Sequence, residues 1–295
     1  MRAQFQLYHQ MSFKMKKASL IIFLFFVLAE MLTAQIFNEK DKIVLRDFIN
    51  KNENTASEDI GEVVAKAGKY FIGTEYVAHT LEVGDEEKLN VNLSGLDCTT
   101  FMETSLALAR ALKKGKLDEQ TLVNELTAIR YRGGVLDGYV SRLHYTSDWV
   151  TDNVKKGIVA DVTKSLGGER IVFNANIMSE KPELYKRLKN KPALVEKIKE
   201  IENSIKQREY YHIPVSKIEQ AEDRIKAGDL IAITSTISGV DVNHVGIAVK
   251  RNGKTYFMHA PMAGKKVQIS ESTLGDYISG GRKNKGIMVL RPLEP

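Results

Sequence analysis

An α+β fold is what this sequence predicts, and three observations carry the prediction. Segments with helical spacing of apolar residues fill the first half of the chain, whereas the last third alternates short apolar runs with turn signals. Arg251-Asn252-Gly253-Lys254 contains the Asn-Gly pair that favours a two-residue hairpin between antiparallel strands. The 295 residues are 43% hydrophobic and 27% charged, ordinary globular material that is enough for one substantial domain or two small ones.

Ahead of any domain stands a leader. Lys14, Lys16 and Lys17 precede an unbroken apolar run from Leu20 to Ala29, and Leu32-Thr33-Ala34 before Gln35 offers small residues for cleavage. That succession predicts a secretory signal peptide over 1–34, with residues 35–295 forming a single domain. The run is short for a membrane span, and no later stretch approaches the ~20 apolar residues a span needs. The expectation is therefore export with no stable membrane anchor after cleavage. Removing the leader lowers the formal charge from +6 to +3, and no basic cluster marks a nucleic-acid footprint.

Residues 38–51 and 58–71 have the spacing of amphipathic helices, and Gly73-Thr74-Glu75-Tyr76-Val77-Ala78 follows as an extended piece. Leu89-Asn90-Val91-Asn92-Leu93 alternates with period two and predicts a strand. Asp97 is a good N-cap for a helix carrying Phe101, Ser105, Leu108 and Leu112 on one stripe, stopped by Lys113-Lys114-Gly115. A further helix is predicted over 118–130, broken at Tyr131-Arg132-Gly133-Gly134.

Next comes Tyr139 to Trp149, which holds the only Trp together with Arg142, His144 and Tyr145. Such groups pack on sugar faces and hydrogen-bond amides or carboxylates, and this stretch reads as a ligand-facing wall or as an aromatic core strand. Residues 150–215 turn charged and read as an insertion capping the core, with a strand near Glu169–Ile177 and surface helices over Pro182–Gln207 interrupted at Pro192. Strands follow at Leu230–Thr234, Val242–Val249, Thr255–Ala260 and Gly286–Leu290, the first too apolar to be half exposed.

Cys98 is the only cysteine, so no intramolecular disulfide can form, and the thiol is either buried, paired with another chain or reactive. In the first turn of a helix, free N–H groups and the helix dipole favour thiolate. On the local sequence alone a small buried hydrophobe serves as well. Partners decide. His244 and His259 lie fifteen residues apart across the Asn-Gly turn, at similar distances from it, so adjacent strands can set them side by side at one level. A Cys at a helix start with two strand histidines matches thiol acyl transfer, one imidazole taking the thiol proton and the second fixing its tautomer. A zinc site from the same three residues lacks any Cys-x-x-Cys, His-x-x-x-His or His-Glu-x-x-His spacing, so no metal or other cofactor is expected.

Asp97-Cys98, Gly228-Asp229-Leu230, Asn243-His244-Val245-Gly246-Ile247-Ala248-Val249 and Phe257-Met258-His259-Ala260-Pro261 together resemble the successive motifs of NlpC-type papain-like hydrolases of the bacterial cell wall. The resemblance covers roughly residues 60–292. It implies a papain-like arrangement, with N-terminal helices including the Cys helix packed on a C-terminal antiparallel sheet. Cys98 is then nucleophile, His244 general base, His259 the orienting residue, and Tyr76 a helper near the oxyanion beside the Cys98 N–H. Members of that family commonly read Asp-Cys-Ser-Gly and use the Asp and Ser to hold a free amino end, whereas here Asp97-Cys98-Thr99-Thr100 departs.

The Arg142-Leu143-His144-Tyr145 wall and the long insertion resemble instead a branch of N-acetylmuramoyl-L-alanine amidases whose preferred substrates are small anhydromuramoyl fragments, with Trp149 expected beside that wall. The resemblance thus implies a peptidoglycan fragment as partner and the periplasm of a Gram-negative bacterium as location, with Asp97 among the substrate-binding residues. A stem-peptide endopeptidase using the same three residues and a non-catalytic wall-binding protein remain the alternatives.

Overall fold

The computed structural model describes residues 37–52 and 57–295, so the leader expected over 1–34 lies outside the described residues. Asn38 caps helix α1 (Glu39–Lys51) by accepting from the Asp41 N–H, and Asp59 caps α2 (Ile60–Tyr70) by accepting from the Gly61 N–H. Helix α3 (Cys98–Lys113) begins at the cysteine and α4 (Glu119–Arg130) is capped by Asp118. The expected helices are present with nearly the expected bounds.

Helix α3 is central rather than one-sided. Every residue from Thr100 to Ala111 is buried, Glu103 and Arg110 included. Those two charges are tolerated because each is paired: Arg130 Nε lies 2.7 Å from Glu103 Oε2, and Arg110 Nε lies 2.8 Å from Glu125 Oε2.

Four expectations are corrected. Leu89 to Leu93 alternates in burial but forms no strand, because the Asp41 carboxylate accepts from the Leu93 and Ser94 N–H groups and the Asn92 side chain from Ser94 and Gly95. The aromatic stretch is not a strand: Tyr139–Ser141 is a 3₁₀ turn, and helix α5 spans Thr146–Lys155. Pro192 does not interrupt a helix but starts one, where its missing N–H costs nothing. The block 150–215 does more than cap. It supplies strands β1 (Val159–Asp161), β2 (Glu169–Ile171) and β3 (Tyr210–Pro214), with helices α6 (Ile177–Glu180) and α7 (Pro192–Gln207) between the last two.

The rest of the sheet is β4 (Leu230–Ser235), β5 (Val242–Arg251), β6 (Lys254–His259), β7 (Gln268–Thr273) and β8 (Asn284–Pro292), with short helix α8 (Ile218–Glu222) before β4 and α9 (Leu274–Ser279) after β7. Its order is β2-β3-β8-β4-β5-β6-β7, all pairings antiparallel, with β1 alongside β8. Both faces of the central strands are covered. Leu230 and Ala232 join the core under the large helices, while Ile231 and Ile233 join a second cluster under α8 and α9. That explains why β4 is continuously apolar. Among the described residues no helix is long and apolar enough to cross a membrane.

Two glycines set the spacing of helix α2 on the sheet. A Cβ at Gly68 would meet Met258 Cε at 2.3 Å and Ile247 Cδ1 at 3.1 Å, so the helix sits as near the strands as its backbone permits. Gly228, at φ +80°, would bring a Cβ to 1.9 Å from the Gly61 carbonyl oxygen. The Gly228-Asp229 motif is therefore architectural: Asp229 accepts a two-pronged contact from Arg291 at 2.9 and 2.8 Å.

Candidate functional site

Asp97 closes a reciprocal cap at the start of α3. Its Oδ1 accepts from the Thr100 N–H and hydroxyl, each at 2.8 Å, while its own N–H donates to Thr100 Oγ1 at 2.9 Å. Thr100 is thus explained by the cap. Thr99 is exposed, its Oγ1 4.0 Å from Cys98 Sγ. Cys98 follows the cap immediately, and its sulfur lies beside the Val245 N–H, next in sequence to His244.

A thiolate was expected from the helix start, and the structure overturns this. Burial and then the Asp97 carboxylate push the Cys98 thiol up to about 11, outweighing the Val245 and Thr99 N–H groups that pull it down. The imidazoles move the other way. Burial holds His244 down to about 4, and burial with the His244 charge holds His259 down to about 3. At neutral pH the three residues are a neutral thiol and two neutral rings.

His244 Nε2 lies 2.7 Å from His259 Nδ1. The strand register that produces this differs from the expected one. Arg251 pairs with Lys254 around Asn252 (φ 49°) and Gly253 (φ 77°), and Ile247 pairs with Met258. Continuing that register sets His259 against Gly246, so His244 sits diagonally, two positions along the same face. The missing side chain at Gly246 matters here, since a Cβ would lie 2.7 Å from the Phe257 ring. Phe257 stacks on His259 at 4.7 Å and meets His244 edge-on at 5.7 Å.

The short contact fixes tautomers if His244 is to accept a proton. With Nδ1 free as base, Nε2 carries the hydrogen and donates to His259 Nδ1, leaving the His259 hydrogen on Nε2. His259 is 1% exposed, and its Nε2 has no partner.

Tyr76 is strapped alongside. Its N–H donates to the Lys265 carbonyl, Val77 N–H to Leu96 O and Leu96 N–H to Glu75 O, which ties the expected extended piece to the residue before Asp97. Burial raises the Tyr76 phenol, with the Cys98 and Asp97 charges adding. Tyr277 was not anticipated. It comes from α9, its hydroxyl is 3.5 Å from His259 Nδ1, and burial and then the Cys98 charge raise its pKa. The signal that could have found it is Thr273-Leu274-Gly275-Asp276, a capping pattern ahead of the tyrosine: Thr273 Oγ1 accepts from the Asp276 N–H.

On the other side of Asp97 a cavity of about 200 Å³ is lined by Asp97, Thr99, His79, Glu103, Arg142 and His144, among others. His79 holds a left-handed backbone, φ 62°, unusual for a residue with a side chain. His144 donates from Nε2 to the Tyr139 carbonyl at 2.8 Å, and burial, then Arg142, keep it well below the usual histidine range. Arg142 is held by Glu82 and by Glu87, the latter at 3.3 Å. Tyr145 and Trp149 do not reach this cavity. The Tyr145 hydroxyl donates to Glu202 at 2.7 Å, and Trp149, 2% exposed, donates from Nε1 to Glu103 at 3.1 Å. Among the described residues no cluster of three or more His, Cys, Asp or Glu is placed to hold a metal.

A family model described as AmiA-like, N-acetylmuramoyl-L-alanine amidase-like, matches residues 66–287. The chain belongs to this family. An N-acetylmuramoyl-L-alanine amidase of Bacteroides uniformis shares 38% identity with a TM-score of 0.75, over 79% of this chain and 99% of its own. A Bacteroides fragilis protein, provisionally named a xylanase, is also 38% identical, with a TM-score of 0.73 over 77% and 99% of the two chains. A Legionella pneumophila protein at 22% identity and TM-score 0.67, over 88% and 97%, shares the fold. Among curated proteins there is no match. The match to the amidase-like family spans Tyr76, Cys98, His244, His259 and Tyr277, and the mixed helix and antiparallel-sheet architecture is that of its solved members.

Proposed function

We propose that this protein is an exported, papain-like cysteine amidase. It hydrolyses the amide between the lactyl group of N-acetylmuramic acid, including the 1,6-anhydro form, and L-alanine in peptidoglycan fragments. The observation that carries the reading is the junction of Cys98, at the start of α3 beside the Val245 N–H, with the 2.7 Å His244–His259 contact on β5 and β6. Membership of the N-acetylmuramoyl-L-alanine amidase-like family supports this choice of bond.

In this scheme the Cys98 thiol gives its proton to His244 Nδ1 as sulfur attacks the lactyl carbonyl carbon. The oxyanion is met by the Cys98 N–H, which has no intrahelical partner in the first turn, and by the Tyr76 hydroxyl. His244 then protonates the alanine nitrogen, the C–N bond breaks and a thioester remains. Water, deprotonated by His244, attacks the thioester and the thiol recovers its proton. His259 Nδ1 accepts from His244 throughout and stabilises the transient imidazolium, as a neutral orienting base does. Starting from neutral partners suits a buried site, where a standing ion pair has little solvation. A glycosidase would need two carboxylates flanking the scissile bond, and Asp97 is occupied by the Thr100 cap.

The test is incubation of the purified protein with an N-acetylmuramic-acid disaccharide bearing one L-Ala. Free alanine is expected, and none from Cys98→Ala. Cleavage of longer stems without alanine release would make the protein an endopeptidase and overturn the reading.

A further inference from the structure

Residues 150–215 contain a second site that the amidase chemistry does not use. Between α6 and α7 lies a cavity of about 390 Å³ whose lining includes Asn176, Ser179, Lys199, Glu202, Asn203 and Lys206. Glu202 is 3% exposed, and only half of its carboxylate is satisfied. Oε1 accepts from the Tyr145 hydroxyl at 2.7 Å and the Ser179 N–H at 3.0 Å, whereas Oε2 is buried with no donor. A buried carboxylate oxygen without a donor is costly, so a cavity lined by one favours a guest that brings an N–H.

The same helix face carries the opposite charge on either side of Glu202. Lys206 lies one turn on and has no carboxylate partner among the described residues, and the nearest acid to Lys199 is Glu196 at 3.9 Å. With Glu180 and Glu196 also in the lining, the cavity sets carboxylates beside two ammonium groups, which matches a ligand that itself carries an ammonium and a carboxylate. A neutral sugar would satisfy Glu202 but leave the lysines unmatched, and a simple anion would meet the Glu202 charge.

We propose that this cavity binds an amino acid or short peptide with free termini, its ammonium on Glu202 Oε2 and its carboxylate on Lys206 and Lys199. The amine released by the reaction proposed above has this chemistry, a link that rests on that reading, while the binding itself does not. The cavity also adjoins the catalytic strand. The Asn176 and Ile177 N–H groups each donate to the Gly239 carbonyl at 3.2 Å, in the loop that leads into β5 and His244. Gly239 is needed there, since a Cβ would lie 2.7 Å from Asn176 Oδ1.

Titration of the isotope-labelled Cys98→Ala protein with the dipeptide L-Ala-L-Glu, followed by NMR, reads the site without turnover. The side-chain amide signals of Asn176 and Asn203 are expected to shift with millimolar or tighter affinity. N-acetylating the dipeptide should weaken binding at least tenfold, and so should Lys206→Met. Glu202→Gln probes the same contact, but it also touches the Tyr145 anchor, so the exposed Lys206 is the deciding variant. Three results would each overturn the proposal: no shift of those amides at millimolar dipeptide, equal binding of the N-acetylated form, or stronger binding of N-acetylglucosamine. The amidase reading survives any of them.

Discussion

Arg130 and Glu103 form a buried ion pair at 2.7 Å that joins α3 to the next helix and leaves no lone charge between them. Arg130 also donates to the Asn90 carbonyl at 2.8 Å, and Trp149 takes the second Glu103 oxygen, so one carboxylate ties α3, α4, α5 and the loop before Asp97.

Removing one member of such a pair strands the other. Glu103→Ala is expected to cost about 3–5 kcal/mol of stability, measured by urea unfolding. A loss below ~1 kcal/mol would mean that Arg130 finds water, contrary to its burial.

In the proposed scheme a neutral Cys98, His244 and His259 set the pH behaviour. A base held down to about 4 stays unprotonated across the mildly acidic range, so kcat/KM should be flat from pH 5 to 8 with no acid limb near 6.5. Alkylation of Cys98 by iodoacetamide should be slow at pH 6 and rise steadily beyond pH 9, because the thiol is pushed up to about 11. Rapid alkylation at pH 6 would show a standing thiolate–imidazolium pair.

Stability follows with the opposite demand. Both histidines have folded pKa values below the unfolded one, about 4 and about 3 against 6.5. The unfolded chain therefore binds protons that the folded one refuses as pH falls below 6.5. Stability should decline through that window, by up to ~1.4 kcal/mol per pH unit for each ring, and be fully retained above it. Urea midpoints at pH 7.5 and 5 check the sign.

Gly246→Ala should displace the Phe257 ring that packs against both imidazoles. Overpacking costs about 1–3 kcal/mol, and kcat should fall at least tenfold even where the variant is folded. Unchanged kcat in a folded variant would mean that Phe257 has no part in placing the rings.

Tyr277→Phe distinguishes contact from chemistry. At 3.5 Å its hydroxyl is a weak partner of His259, and the expected loss in kcat is under tenfold with KM unchanged. A loss of a thousandfold would put the phenol in the reaction itself.

The features visible in the sequence share a cause. Caps, the Asn-Gly turn and apolar runs are local, and they placed α3, the β5–β6 hairpin and β4 within a residue or two. What was hidden depends on distant partners. Leu89 to Leu93 has strand periodicity, but a carboxylate fifty residues earlier takes its N–H groups. Tyr145 and Trp149 look like ligand groups until Glu202 and Glu103 are seen to claim their polar ends. The histidines were legible as a pair and not as a diagonal, because the turn type fixes the offset. The thiol's protonation is set by burial, which depends on distant partners, and not by the local helix dipole.

Gly68 has a consequence for how the molecule fails. It lets α2 touch Met258 and Ile247, and Phe101 of α3 packs against the same spot. The helix that carries Cys98 and the strand that carries His259 thus meet across the bare backbone of Gly68, and in the proposed reaction turnover would report on their spacing. Heating or mild denaturant that swells this seam should silence the protein while its circular dichroism is still native, and Gly68→Ala should do so at room temperature.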